Sequence, residues 1–485
     1  MAIKIYLNTA TSYKELETID ELKITNVLND HGYLYLTAII NEEVKTKYVT
    51  EVNNFETVEI AVVEDDKTET IFKGFVKEAT IHLVKGNYLL FVTAVTGSYE
   101  CDLELKSKSF QNKNMTYEDM LKTVIKEHKG GDLIDNATKG ELLGKFTMMY
   151  KETTFQFIKR IASRFNASVL PSLIHDTAKL TIGVPRGTDR GEIEKYNFYI
   201  TKDLERYMIS SRNENKNLSE LDTITFNIEI YENFDIGDKM TYYDQVSERP
   251  YVNLYIKSKE IEMVNGTLRF RYGLCTYKGL STDPIYNEKI VGLSLKGEVI
   301  RSVKDKIKVK LEIDEKQDES TAWEFPYTSV YTAEGSSGWY FMPEAGDTVL
   351  IYFPNRNEEN GVGVNSIRVK NTGTDKIGTP SIKYIRTKDG KEIKLAPDEL
   401  VLTCSNWVNK ETGYEQKIYI DLNDQGGITI QSTKPININS DADINFTADK
   451  KILMAAENEI MLRCKSSQIK MGKEISVVSS LVRVN

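Results

Sequence analysis

Cysteine, histidine and tryptophan are scarce in this sequence: four, four and three among 485 residues. The cysteines, Cys101, Cys275, Cys404 and Cys464, lie far apart with no C-x-x-C pair, a spacing that suggests neither a zinc site nor a disulfide framework. Free core thiols in a reducing compartment are expected. His31, His82, His128 and His175 are equally scattered and form no ligand motif; each reads as a structural residue, and no metal or other cofactor is expected. Basic charge is also in deficit, with 63 Lys and Arg against 72 Asp and Glu for a net charge of -9, so nucleic acid is not expected as a specific ligand. No apolar run approaches the ~20 residues of a membrane-spanning helix. The N-terminal MAIKIYLNTATSYKELETIDELK has too short an apolar stretch and too many charges for a secretory signal. Synthesis in the cytoplasm is expected, with any action outside the cell reached by another route.

What the sequence does contain is β-rich and divided, and its length suggests about three or four domains. Residues 1–110 read as short strands, clearest in KEATIHLVKGNYLLFVTAV, where two runs join across Lys85-Gly86-Asn87 in a hairpin connection. The pattern changes in NMTYEDMLKTVIKEHKGG. There Thr116 and Asp119 mark a helix N-terminus, Met120, Leu121, Val124 and Ile125 share one face, and Gly130-Gly131 ends the helix. In YKETTFQFIKRIASRFNASV, Thr153 and Gln156 form a capping box, and Phe157, Ile158, Ile161, Ala162 and Phe165 recur at the spacing of a buried helix face. Strands return in NASVLPSL, TAKLTIGV, TITFNIEIYENFDIGDKMTYYD and YIKSKEIEMVNGTLRFRYGL, the last carrying the hairpin pair Asn265-Gly266. Two barrels or sandwiches with a helical piece between them are expected.

STDPIYNEKIVG reads as a linker. From Leu295 to about Arg368 follow LKGEVIRSV, KIKVKLEI after a turn at Lys304-Asp305, GWYFMP, and TVLIYFP after Ala345-Gly346-Asp347. About five short strands in ~75 residues suit a small closed barrel of the OB type. Such barrels often bind oligonucleotides. Here Lys296, Arg301, Lys304, Lys306, Lys308 and Lys310 interleave with Glu298, Asp305, Glu312, Asp314 and Glu315, a solvated face of mixed charge.

The C-terminal segment carries a repeat. Ile420, Ile428, Ile436, Ile444, Ile452 and Ile460 stand eight apart, and two places after each comes a second apolar residue: Leu422, Ile430, Ile438, Phe446, Met454 and Leu462. Two apolar residues separated by one polar residue is strand alternation with one buried face, and a period of eight is incompatible with the 3.5-residue repeat of a coiled coil. Asn, Asp and Ser fill the positions between, as turns require. Each octad reads as one short strand plus one corner. Eight residues span at most about 26 Å, too little for one chain to close a three-sided solenoid turn. Three chains wound together close it, each giving one side per level, with the twelve apolar residues filling a shared axis and edge strands removed along the shaft. A single-chain β-meander is the alternative. Asp441 and Asp443 read as solvated turn residues.

The assembled order resembles the VgrG-like hub-and-spike proteins of contractile injection systems, in which a phage tail baseplate hub is fused to a spike. MMYKETTFQFIKRIASRFNASV resembles a family segment through Tyr150, Glu152, Phe155, Phe157, Arg160, Ile161 and Phe165. GWYFMPEAGDTVLIYF is similar to the spike-barrel signature, and TKDGKEIKL and GGITIQS to the start of the β-helix. The turn after the barrel strand departs from the family's acidic-proline form and reads PNRNEENGVG; no enzymatic insertion stands between barrel and prism. The resemblance therefore points toward phage tails, R-type bacteriocins or related systems.

It implies a mainly β, multidomain fold: a first hub β-barrel at 1–110, an α/β insert with two helices at 111–200, a second hub barrel at 201–285, an OB-fold barrel at 286–375 and a trimeric β-helix spike at 376–485. It also implies a non-catalytic homotrimer that joins a sixfold tube to a threefold needle within a phage tail-like particle. Its implied partners are tail tube and baseplate proteins, the target cell envelope, and a tip protein contacted through Leu481, Val482 and Val484. The competing expectation is a trimeric tail fibre or tailspike that binds a receptor or degrades polysaccharide; no segment offers the paired carboxylates that glycan cleavage needs.

Overall fold

The computed structural model describes residues 2–9, 12–15, 18–44, 56–64, 67–193, 198–213, 218–244, 249–333, 337–369, 376, 378–408, 415–465 and 467–471. Leu481, Val482 and Val484 lie outside the described residues. Strand outweighs helix, 47% against 13%, so the fold is mainly β. The chain divides into two compact units, Met1–Lys370 and Asn371–Asn485.

In the first unit the strands from Ala2 to Thr96 and those from Asp189 to Cys275 belong to one 13-stranded sheet among the described residues. The seam between the two halves is the antiparallel pairing of Thr18–Val27 with Arg249–Val264, running from Ser258 opposite Val27 to Glu262 opposite Lys23. Alternation places Leu22 and Ile24 inside with Leu34, Leu36, Ile256 and Ile261. The hairpins expected from sequence form where Lys85 and Gly86 take φ 50 and 87, and Asn265 and Gly266 take φ 50 and 77. Paired positive φ values are the type I′ geometry that matches strand twist.

The insert contains helix α1, Tyr117–Ile125, capped by the Thr116 side chain accepting from the Asp119 amide, and helix α2, Thr154–Ser163, which opens with the complete Thr153/Gln156 capping box. Both bury their apolar faces over a small sheet of Asp132–Asp135, Val169–Pro171 and Lys179–Ile182. A further helix, α3, Leu204–Asn213, lies between the strand segments read from the sequence, inside the range expected to form the second hub barrel. Asp203 Oδ1 accepts the Arg206 amide at 2.9 Å at its start, the helix-opening signal that strand periodicity on either side concealed.

Downstream, Ser294–Val303, Lys306–Leu311, Glu324–Pro326, Thr348–Tyr352 and Val362–Ile367 form a five-stranded sheet. The first strand is central, flanked by the second and the fourth, and a parallel bridge from Tyr327 to Gly363 joins the two ends. Ile307, Val309, Phe325, Val349 and Ile351 fill its interior together with Phe146 and Met148 from the insert. Phe146 meets Phe325 edge-on at 5.0 Å, so insert and five-stranded sheet share one core.

The second unit begins with a five-stranded antiparallel sheet of Lys383–Arg386, Glu392–Leu395, Glu399–Val408, Glu415–Asn423 and Gly427–Gln431. Near its end Ile460–Cys464 pairs with Ser467–Met471.

Candidate functional site

The octads take two forms. At the start they are hairpin strands: Leu422 faces Ile428 and Ile420 faces Ile430 across a turn in which Gly427 adopts φ 75. At the end, Ile460 and Leu462 lie opposite Met471 and Ile469. The uniform reading of one strand plus one corner therefore does not describe these outer octads. Gly426-Gly427 gives the chain a local way to turn back on itself, which the middle octads lack.

In residues 433–458 bends recur at the octad spacing, and no ladder strand forms between them. Bends fall at Thr433 and Lys434, Asp441 and Ala442, Asp449 and Lys450, and Glu457 and Asn458, each pair eight after the last. Ser432 Oγ accepts the Lys434 amide at 3.0 Å, and Ser440 Oγ repeats the contact eight residues on with Ala442 at 3.1 Å. Short polar side chains thus take up the amides at two successive corners. Between the bends lie Ile436 and Ile438, Ile444 and Phe446, Ile452 and Met454. Among the described residues no strand ladder or bridge takes up their backbone.

All six of those side chains are exposed in the single chain, from 44% at Ile444 to 64% at Ile438. Ile420, Leu422, Ile428, Ile430 and Leu462 are exposed too, and Ile460 is half-buried. These apolar side chains therefore stand exposed at every eighth position, beside backbone that joins no ladder among the described residues.

A second arrangement ties the insert to the five-stranded sheet. Arg160 on α2 is buried and holds Glu152 through two bonds, Nη2 to Oε1 at 2.6 Å and Nε to Oε2 at 3.1 Å. Its Nη1 donates to Glu358 Oε1 at 2.8 Å, Arg164 donates to the same oxygen, and the Met148 amide donates to Glu358 Oε2 at 2.8 Å. Glu152 and Arg160 stood out in the sequence. Glu358 did not, because NRNEENG reads as an exposed turn; the nearest signal is an apolar strand ending just before it.

Ser98, His31 and Asp102 have the residue types of a hydrolytic triad. His31 Nε2 lies 2.8 Å from Asp102 Oδ2, and its Nδ1 lies 2.8 Å from Ser98 Oγ. Ser98 is only 1% exposed, its hydroxyl is shared with Thr96 Oγ1 at 2.8 Å, and the imidazole stacks on Phe155 at 4.2 Å. The Asp is also engaged by the Thr153 hydroxyl at the start of α2. The network therefore fixes α2 against the first half of the sheet. Among the described residues no cluster of His, Cys, Asp and Glu is arranged to hold a metal ion.

The mainly β, multidomain chain has the fold of VgrG-related proteins of known structure. No family model and no curated protein matches the sequence; the likeness is one of structure. A type VI secretion system component of E. coli, c3393, described as structurally similar to the T4 bacteriophage tail proteins gp27 and gp5, superposes with a TM-score of 0.52 at 11% identity, over 76% of this chain and 100% of that one. The Francisella PdpA-VgrG complex in its half-lidded form gives 0.54 at 10% identity over 88% of this chain and 87% of that one. Its lidless form gives 0.53 at 11%, over 88% and 97%.

Proposed function

We propose that this chain is the central hub and spike of a contractile injection machine, acting mechanically and without catalysis. The observation that carries the reading is the run from 433 to 458: bends every eight residues, intervening segments that join no ladder among the described residues, and exposed apolar residues at the repeat positions. Three such runs wound together complete every ladder and fill the axis with Ile436, Ile438, Ile444, Phe446, Ile452 and Met454. Ile420, Leu422, Ile428, Ile430, Ile460 and Leu462 extend that axis at its two ends. Separating one strand then requires breaking pairings with two other chains, which spreads a load along the shaft.

The domain division is 1–110, 111–200, 201–285, 286–375 and 376–485, from first hub barrel to trimeric β-helix. The strand order 3-2-1-4-5 of the five-stranded sheet, closed by the parallel bridge Tyr327 to Gly363, supports an OB-type barrel. Exposed Tyr331, Trp339, Tyr340 and Phe341 on its loops support a place within a larger assembly. The hub joins a sixfold tube to the threefold needle, contacts tail tube and baseplate proteins, and presents the needle to the target envelope, with Leu481, Val482 and Val484 meeting a tip protein. The chain is made in the cytoplasm and acts outside it as part of a phage tail-like particle, from a phage, an R-type bacteriocin or a related system.

The test is electron microscopy of sheath-bearing particles that carry a labelled C-terminus. Label at the distal tip of the central tube is expected. Label along fibres or on the sheath contradicts the assignment.

A further inference from the structure

The two halves of the large sheet meet along one ladder, from Ser258 opposite Val27 to Glu262 opposite Lys23. At its second rung Asn26 stands directly across from Lys259. Direct cross-strand partners project from the same face of a sheet, with Cβ atoms about 4.5–5.5 Å apart, a gap that the four methylenes of a lysine span. Both residues are more than nine-tenths buried and line the same cavity. Neither polar end is well served by the protein. Asn26 Oδ1 has no hydrogen-bond partner. Among the described residues Lys259 Nζ meets one carboxylate, Asp235 Oδ1, at 3.9 Å, beyond hydrogen-bond distance.

Packing alone does not select this pair. A buried ammonium with a distant, solvent-facing counter-ion loses hydration and regains little, and an unpaired buried carbonyl loses its bond to water. Burial pushes the Lys259 pKa down, against the pull of Asp235, Glu69 and Asp238, which favours the neutral amine, the nucleophilic form. The amide across the rung offers a carbonyl carbon as electrophile. Asp235, 86% exposed, exchanges protons with solvent while holding one oxygen near the amine. A nucleophile, an electrophile and a base thus stand together, and burial of the carbonyl limits attack by water.

We infer that Lys259 and Asn26 join in an intramolecular isopeptide bond, a covalent strap across the seam of the large sheet. Lys259 Nζ attacks Asn26 Cγ and the new C–N bond forms. Asp235 accepts a proton from Nζ and returns it to the departing Nδ2; the Cγ–Nδ2 bond breaks and ammonia leaves into the cavity. One amine and one primary amide give one secondary amide and one ammonia, with no oxidant, metal or co-reactant. The product carries no charge at this rung, which removes the buried ammonium. The strap closes a covalent ring through residues 26–259 that contains the whole insert, so the two halves of the sheet cannot part while the bond is intact.

The test is the intact mass of the denatured full-length protein, followed by tryptic digestion and tandem mass spectrometry. The parent should weigh about 17 Da less than its sequence, the mass of the one ammonia released by amine attack on an amide, and should yield a branched peptide joining Asn26 to Lys259. N26L and K259M should each return to the mass of their own sequence. D235N, whose change lies in solvent, should keep the circular dichroism of the parent and link at least about tenfold more slowly, as loss of a general base requires, read from the mass of protein collected at intervals after a short induction of synthesis. A succinimide formed at one asparagine releases the same ammonia but gives no branched peptide. A parent at its full sequence mass, a loss of ammonia without the branched peptide, a loss retained by K259M, or a D235N variant that links at the parent's rate overturns the proposal.

Discussion

Glu358, 198 positions beyond Arg160, accepts a 2.8 Å hydrogen bond from that guanidinium in the interior of the first unit. Glu152 completes the pair on the other side, so one buried arginine holds the strand before α2 and the turn after the strand Thr348–Tyr352. Removing one partner strands buried charge, which costs about 3–5 kcal/mol. E358A should therefore lower stability by that amount, read as the urea midpoint of the first unit. A loss within about 0.5 kcal/mol, the size of an ordinary surface substitution, would mean that the joint is solvated.

The same residue sets an acid dependence. Burial pushes the Glu358 carboxyl up, but the Arg160 and Arg164 guanidinia outweigh it and leave its pKa below the ordinary value. An acid with a lowered folded pKa contributes stability that is complete above its unfolded value, about 4.3, and that fades as pH falls through the folded one. Melting temperatures of the parent and of E358Q should converge as pH drops from 7 toward 3. A constant gap across that range would contradict the assignment.

Thr153 has two tasks, capping α2 through the Gln156 amide at 3.1 Å and donating to Asp102 beside His31. Loss of a cap alone costs about 0.5–2 kcal/mol, and the lost bond to the carboxylate adds to it. T153A should cost about 2–3 kcal/mol by chemical denaturation, and T153S should recover most of it. Equal losses for both variants would show that the methyl group, not the hydroxyl, matters.

Alternation within the middle octads gives a paired test on adjacent residues. In the proposed trimer Ile452 faces the axis, and strand alternation turns its neighbour Leu453, 78% exposed in one chain, to the other side. I452D should abolish the trimer by placing three carboxylates on one axis, and L453D should leave it intact. Mass by analytical ultracentrifugation distinguishes them, and equal behaviour of the two variants would remove the axial assignment.

Much of this architecture is legible in the sequence because its signals are local. Lys85-Gly86 and Asn265-Gly266 each specify a turn, Thr153 and Gln156 specify a helix start, and octad spacing specifies where bends fall. Long-range pairings are not local. No pattern in Thr18–Val27 announces that it pairs with Arg249–Val264, and nothing near Glu358 shows that two arginines cover it. The hairpins at the outer octads depend on Gly426-Gly427 and on a partner strand at Ser467–Met471, features outside the eight-residue repeat. Helix α3 was hidden by strand signals on both sides of it.

A trimer built on the octads depends on the phase of the repeat. Light scattering on the full chain should give three times the 55.3 kDa of one copy. Deleting residues 441–448 removes one whole strand and corner and should leave that mass unchanged. Deleting 441–444 places a corner where a strand belongs and should abolish the trimer. A monomeric parent, or a trimer that tolerates both deletions equally, would contradict the account.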